Sequence, residues 1–197
     1  MSTLQDHHKK NFMEVNARLG LESQGNLLKA SSNDVFAKKD VIVFGADKAN
    51  SDIVGKVVPV ASIAELKRLS GIPSDVDDAH VNYPEPIAQL SKDTANLKEA
   101  GISDNLKEQI GKAASSYILG NPEKVKGFEN AINATLFPGK ALLFSMEDLY
   151  VKSGQTVVFG TGDEPEIYNF GTITVEQGGQ ISVVGNVQLT CQVFTQL

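Results

Sequence analysis

The stretch VEQGGQISVVGNVQLTCQVFTQL (residues 175–197) alternates apolar and polar side chains and is broken by glycine-containing turns. Alternation with a period of two is typical of a β-strand that turns one face to a core. On one face of the last strand we expect Val187, Leu189, Cys191 and Val193, and on the other Gln188, Thr190 and Gln192. A terminal strand stays ordered when it is paired, so we expect this one to lie between two neighbours.

A related pattern lies 24 residues upstream. LYVKSGQTVVF (149–159) and ITVEQGGQISV (173–183) superpose residue by residue, and KKDVIVFGAD (38–47) more faintly resembles TVVFGTGD (156–163). Such a spacing fits either one rung of a β-solenoid or two successive hairpins of a sandwich. A solenoid needs at least three rungs to bury a core, and only two units are clear. We therefore predict an antiparallel β-sandwich or jelly-roll-like unit, with a short β-solenoid as the alternative.

The rest of the chain mixes helical and strand patterns, which predicts an α+β protein. We expect an N-terminal helix and connector in residues 1–34. Short strands, a capped helix and an acidic loop follow in residues 35–85. A helical block in residues 86–137 is expected to pack on the β-rich domain of residues 138–197.

Three helix starts carry recognisable capping residues. Ser62 and Glu65 have the spacing of a capping box, and Gly71 suits the end of the same short helix. Ser103 and Asn121 are predicted N-caps, the second followed by Pro122 at the first helical position. Within the last helix, Val125, Phe128, Ile132 and Leu136 are predicted to form the buried stripe.

Composition excludes some classes of partner. The 197-residue chain has 41% hydrophobic and 21% charged residues and a formal net charge of −6, which argues against nucleic acid as a ligand. No apolar run approaches the roughly 20 residues of a membrane-spanning helix, so we predict no membrane span. The N-terminus lacks the apolar region of a signal peptide. The cytoplasm is therefore the default compartment, and export without a cleaved signal peptide is left as an alternative.

One segment has the residue types of a metal site. Asp75, Asp77, Asp78 and His80 lie within six residues, and carboxylates with a nearby imidazole can ligate a divalent cation. The segment lacks the glycine and the terminal glutamate of an EF-hand loop, so a solvated acidic loop is the competing interpretation. We predict no other cofactor.

The chain contains none of the common catalytic motifs. Its single cysteine, Cys191, alternates in register with apolar residues, so we expect a buried and unreactive thiol. Whether the protein is an enzyme stays undecided at this point, with the weight of these observations against it.

The remaining candidates are residues of β-rich surfaces. Tyr150, Tyr168 and Phe170 could form an exposed aromatic platform, with cover by the chain's own helical block as the competing interpretation. Gln188, Thr190 and Gln192 form an uncharged polar row that could bind a ligand or another subunit, or could be an ordinary solvated β surface. We therefore expect a non-enzymatic binding or structural protein that acts through its β-sheet surfaces by ordered homo-oligomerisation. A carbohydrate-binding module, with a glycan as partner, and an enzyme with a carboxylate-based site are the alternatives.

Overall fold

A computed structural model describes residues 4–21, 39–46, 49–75, 77–85, 102–160, 162 and 164–197. The chain divides into two compact units, one formed by Met1–Val58 with Lys140–Leu197 and the other by Pro59–Gly139. The described residues form a mixed α+β protein with two four-stranded sheets and four α-helices, so the α+β prediction is confirmed.

The helices are α1 (Asp6–Arg18), α2 (Ile63–Ser70), α3 (Asp104–Leu119) and α4 (Glu129–Leu136), with a 3-10 segment at Pro122–Phe128. The strands are β1 (Val41–Gly45), β2 (Ile53–Val54), β3 (Lys56–Val60), β4 (Gly139–Val151), β5 (Thr156–Phe159), β6 (Glu166–Val175), β7 (Gln180–Val183) and β8 (Val187–Gln196).

From β4 onward the chain crosses from one sheet to the other at every turn. The first sheet has the strand order β2-β1-β5-β7, and the second has the order β3-β4-β6-β8. All five strand pairs with a described register run parallel. The predicted antiparallel pairing is therefore wrong for these strands. The glycine turns carry the chain across to the opposite sheet. The chain returns to its first sheet only after it has passed through both sheets, which we call one circuit. A strand therefore runs parallel to the strand one circuit earlier.

The sequence repeat corresponds to this circuit. Thr156 pairs with Gln180 and Val151 with Val175, both 24 residues apart, whereas the next circuit, from Glu166 to Val187, is 21 residues long. The fainter match upstream is also a strand pair, since β1 runs parallel to β5 with Val41 beside Thr156. In sequence, the unit Pro59–Gly139 thus separates β1 and β2 from the strands β4–β8, although β1 and β5 are neighbours in one sheet.

The core of the first unit lies between the two sheets. Ile42, Phe44, Val157 and Phe159 contribute to it from the first sheet. The contribution of the second sheet includes Leu142, Phe144, Met146, Tyr168, Phe170 and Ile173. Alternation is interrupted once in each long strand, because both Met146 and Leu149, and likewise Phe170 and Ile173, face the core. The same interruption in β8 decides which of its residues continue the core.

Helix α1 covers the outer face of the second sheet. Asn169 Nδ2 donates to the carbonyl oxygen of Phe12 at 3.0 Å and to Asn16 Oδ1 at 2.8 Å. Phe12, Leu19 and Asn16 are fully or almost fully buried. The buried apolar residues of this helix are therefore supplemented by a buried hydrogen-bonded asparagine pair.

The predicted helix caps of the inserted unit are confirmed. Ser62 Oγ accepts from the backbone N–H of Glu65, and Gly71 ends α2 in the left-handed conformation. The Glu65 carboxylate, however, accepts from the N–H of Ala61, one residue before the expected partner. Ser103 and Asn121 also cap as predicted.

The final predicted helix is less regular than its sequence pattern. It consists of the 3-10 segment followed by α4, with non-helical backbone at Val125. Val125, Phe128 and Ile132 are buried, but Leu136 is exposed because the helix ends there. Residues 86–101 of the predicted helical block lie outside the described residues.

Strand β8 occupies the edge of its sheet, beside β6 alone among the described strands. Within the part of the chain that the structure describes, the second neighbour predicted for this strand is therefore not found. Nine of its ten residues are paired with β6, and this pairing on one side already keeps the strand ordered, because each inward side chain also stacks on a residue of β6.

Candidate functional site

Tyr168 and Phe170 are core residues. Both side chains are almost completely inaccessible to solvent, and the ring of Tyr168 stacks on Phe144 with ring centroids 4.4 Å apart. They lie on the face of β6 opposite to Asn169, whose side chain points to the outer face and donates hydrogen bonds to α1. Burial removes these two aromatics from the predicted exposed platform.

The hydroxyl of Tyr168 ends in a buried polar contact. It donates to Glu166 Oε2, which also accepts from the backbone N–H of Gly160 at 3.1 Å. Burial raises the pKa of the Tyr168 hydroxyl well above its ordinary value, and the hydrogen bond and charge of Glu166 act in the same direction. The pair satisfies two buried polar groups where the sheets meet the loop after β5.

Tyr150 is half-buried and tied to the turn after β6. Its hydroxyl donates to Glu176 Oε1 at 2.6 Å, and Glu176 Oε2 accepts from the N–H of Ser153 at 2.9 Å. The hydrogen bond to Glu176 raises the pKa of the Tyr150 hydroxyl. These contacts hold two successive glycine turns together, which is a structural role for Tyr150.

The structure does not assemble the predicted metal ligands. The carboxylate of Asp78 accepts from Lys124 Nζ at 2.7 Å and from the Tyr83 hydroxyl at 2.5 Å, and these hydrogen bonds lower the pKa of Asp78. Asp77 accepts from the N–H of Ala79. In the part of the chain that the structure describes, no group of three His, Cys, Asp or Glu side chains could hold a metal ion.

The core is incompletely covered at its C-terminal end. Val183 lies beside the fully buried Phe159, yet its side chain is 57% exposed. Phe194 lies beside the buried Ile173 and is 59% exposed. Each of these residues contacts the preceding circuit on one side, while no described strand covers the other side. A surface that continues a core is a typical site of association.

We call this region the C-terminal end, defined as β7, β8 and the residues Val184 and Leu197 that follow them. Val184 and Leu197 are also exposed, whereas Ile181, Val187, Leu189 and Cys191 pack against the core while remaining partly accessible. Neither β7 (QISV) nor β8 (VQLTCQVFTQ) contains a charged side chain. The end is therefore apolar inside, polar but uncharged outside, and bordered by strand edges.

Gln188, Thr190 and Gln192 belong to this end and are half-buried. Gln188 lies beside Ile167, and Thr190 lies beside Asn169, on the outer face where α1 packs. The polar row of the sequence prediction therefore exists, but α1 lies close to it. The accessible part of β8 is its edge and its inward residues.

Cys191 occupies the inward face, as predicted, but is only half-buried because it lies in the last circuit. Its thiol donates to the carbonyl oxygen of Val193 at 2.9 Å, and burial raises its pKa. A raised pKa keeps the thiol protonated and makes it a poor nucleophile at neutral pH.

The sequence pattern missed Phe194 as a core-facing residue. Strict alternation predicts Val193 on the inner face, yet Val193 lies beside Thr172 and Phe194 lies beside Ile173. The interruption of alternation between Phe170 and Ile173 is repeated one circuit later. Aligning the circuits along their whole length would have revealed this shift.

The comparisons with known proteins give no family for this chain. Neither a protein-family model, nor a curated protein, nor a solved structure matches it. Among the described helices, none is long and apolar enough to cross a membrane.

Proposed function

We propose that this protein is a non-enzymatic structural or binding protein that works by ordered homo-oligomerisation through its C-terminal end. The observation that carries the proposal is the incomplete cover of the core at Val183 and Phe194. A second copy of the chain would complete that cover.

The energetics favour association at this end. Complete burial of one large apolar side chain is worth about 1.5–3 kcal/mol. Phe194 and Val183 are each more than half exposed, and a symmetric pair of copies would bury two of each. The edge of β8 adds backbone donors and acceptors that another strand can satisfy.

At the level of fold, we propose that the two sheets with their parallel circuits form a short β-solenoid. Support comes from the 24-residue register and from the third strand pair between β1 and β5. Solenoids stack circuits at a strand spacing of about 4.8 Å, and an end without a cap is prone to association.

Other functions have less support. The carbohydrate-binding alternative relied on exposed aromatics, and two of the three candidates lie in the core. The carboxylate-enzyme alternative has no described cluster of catalytic groups behind it, since the buried Glu166 is hydrogen-bonded to Tyr168 and to the Gly160 N–H.

The first test is the molar mass of the protein in solution, measured by light scattering from about 1 μM to about 500 μM because association depends on concentration. We expect an oligomer for the native sequence and a monomer for the variants Phe194→Asp and Val183→Asp. Each variant places a charge where association would bury it without a partner, which opposes binding strongly.

The matched control is Leu119→Asp. Leu119 ends α3 and is 52% exposed, so this variant removes a similarly exposed apolar side chain far from β7 and β8 in sequence. It should keep the oligomer. Circular dichroism must show native folding in all variants, and a native chain that stays monomeric at every concentration would refute the proposal.

A further inference from the structure

We infer that the oligomer is a closed, two-fold symmetric dimer in which β8 pairs antiparallel with β8 of a second copy. This inference rests on the proposed function and adds the orientation of the partner. The competing arrangement is head-to-tail stacking, in which the C-terminal end of one copy meets the opposite end of the next and a filament grows.

Strand β8 is suited to pairing with β8 of a second copy. In a two-fold contact, the same strand edge is used by both copies, so a charge near the symmetry axis is brought close to its own copy, and a charge elsewhere on the strand has to be buried against an identical strand edge. Strand β8 has no charged residue along its ten positions, and β7 has none along its four. An antiparallel pair of ten-residue strands forms about ten backbone hydrogen bonds.

The opposite end of the sheets is poorly suited to receive β8. Among the described strands, those at the opposite edge are β2, with two residues, and β3, with five. Pro59 lies within β3 and has no N–H to donate, and Lys56 places a charge on the same strand. Head-to-tail stacking would thus pair only half the length of β8 and lose a hydrogen bond at Pro59, whereas self-pairing uses the entire strand.

The competing arrangements respond differently to a change at the opposite end. Val57 lies in β3 and is 49% exposed, nearly as much as Val183 at the C-terminal end. A two-fold dimer does not use Val57, so Val57→Asp should leave its mass unchanged, while Val183→Asp should give monomers. A head-to-tail filament uses both ends, and either variant should dissolve it.

The experiment is light scattering of the full chain and of both variants over the same concentration range. The expected result is a mass that levels off at twice the monomer and persists in Val57→Asp. A mass that keeps growing with concentration and falls to the monomer in Val57→Asp would overturn the inference while leaving the proposed function intact. A native monomer at every concentration would overturn both.

A second measurement detects orientation even if one variant folds poorly. Single spin labels are placed at Gln188, Thr190 or Thr195 in a Cys191→Ser background. The distance between the same label on the two copies is measured by pulsed electron paramagnetic resonance. Antiparallel pairing makes this distance change by roughly 6–7 Å for each residue away from the two-fold axis. Equal distances at all three positions would contradict the dimer, since translation along a filament displaces every residue equally.

Discussion

Gly160 has a φ of +80°, and a Cβ at this position would lie 1.7 Å from the carbonyl oxygen of Val184. The turn after β5 can therefore pass this close to the next circuit only if residue 160 has no side chain. Gly154 has nearly the same φ of +79°, but nothing lies within 4 Å of its hypothetical Cβ. A substitution at Gly154 therefore introduces only backbone strain, whereas one at Gly160 introduces backbone strain and a steric clash.

We predict that Gly154→Ala lowers the free energy of unfolding by about 1 kcal/mol, the cost of a left-handed backbone for an L-residue. Gly160→Ala should lose roughly 1–3 kcal/mol more, because the backbone of the next circuit has to move. Urea denaturation of both variants measures the difference. Equal losses would show that the approach of Val184 is not tight.

At the residue scale, the sequence predicts where glycine turns occur but not why each turn requires glycine. Glycines at 154, 160 and 178 indicate turns, and all three have positive φ. Nothing in the local sequence distinguishes a glycine that needs space from one that needs only a positive φ. That distinction depends on residues more than 20 positions away.

At the scale of elements, the docking of α1 depends on polar side chains as well as apolar ones. Asn16 is fully buried, and its Oδ1 accepts from Ser145 Oγ at 2.7 Å and from Asn169 Nδ2 at 2.8 Å. The three residues join the helix to two adjacent strands, since Ser145 and Asn169 are neighbours in β4 and β6. The helix is held in register with the sheet by this contact.

We predict that Asn16→Ala lowers the free energy of unfolding by about 1–3 kcal/mol, because it leaves buried donors on Ser145 and Asn169 without their acceptor. Asn11→Ala is the matched control, as Asn11 is exposed on the same helix. Its effect should remain within about 0.5 kcal/mol. Thermal or urea denaturation compares the two, and similar small losses would mean that α1 docks through its apolar residues alone.

Helix α1 itself is predictable from its pattern, and so are the caps of α2 and α3, because capping is settled within four residues of the chain. The burial of Asn16 is not predictable in this way. A helical asparagine ordinarily faces solvent, and only the sheet supplies the partners that make its burial tolerable.

At the scale of the whole molecule, the salt dependence of association comes from the net charge of −6, because β7 and β8 have no charged side chain that could form an ion pair across the interface. Ion pairs weaken with salt, whereas repulsion between two acidic copies is screened by it. We predict that the dimer does not weaken between about 50 mM and about 500 mM NaCl, with a change in dissociation constant below roughly threefold. Sedimentation equilibrium at both salt concentrations checks this, and tenfold weaker association at high salt would indicate interfacial ion pairs.

The alternation of side chains, the glycine turns, the 24-residue repeat and the helix caps are all local patterns, and from them the sequence specified strands, turns and an α+β composition. Strand direction, the edge position of β8 and the incomplete cover of Phe194 and Val183 depend on which strands meet after a full circuit. A glycine turn has the same sequence pattern whether it reverses the chain within a sheet or carries it to the opposite sheet. Long-range packing of the core decides which of the two the turn does. The pairing of β1 with β5 shows this, because it forms although the 81 residues Pro59–Gly139 lie between them in sequence.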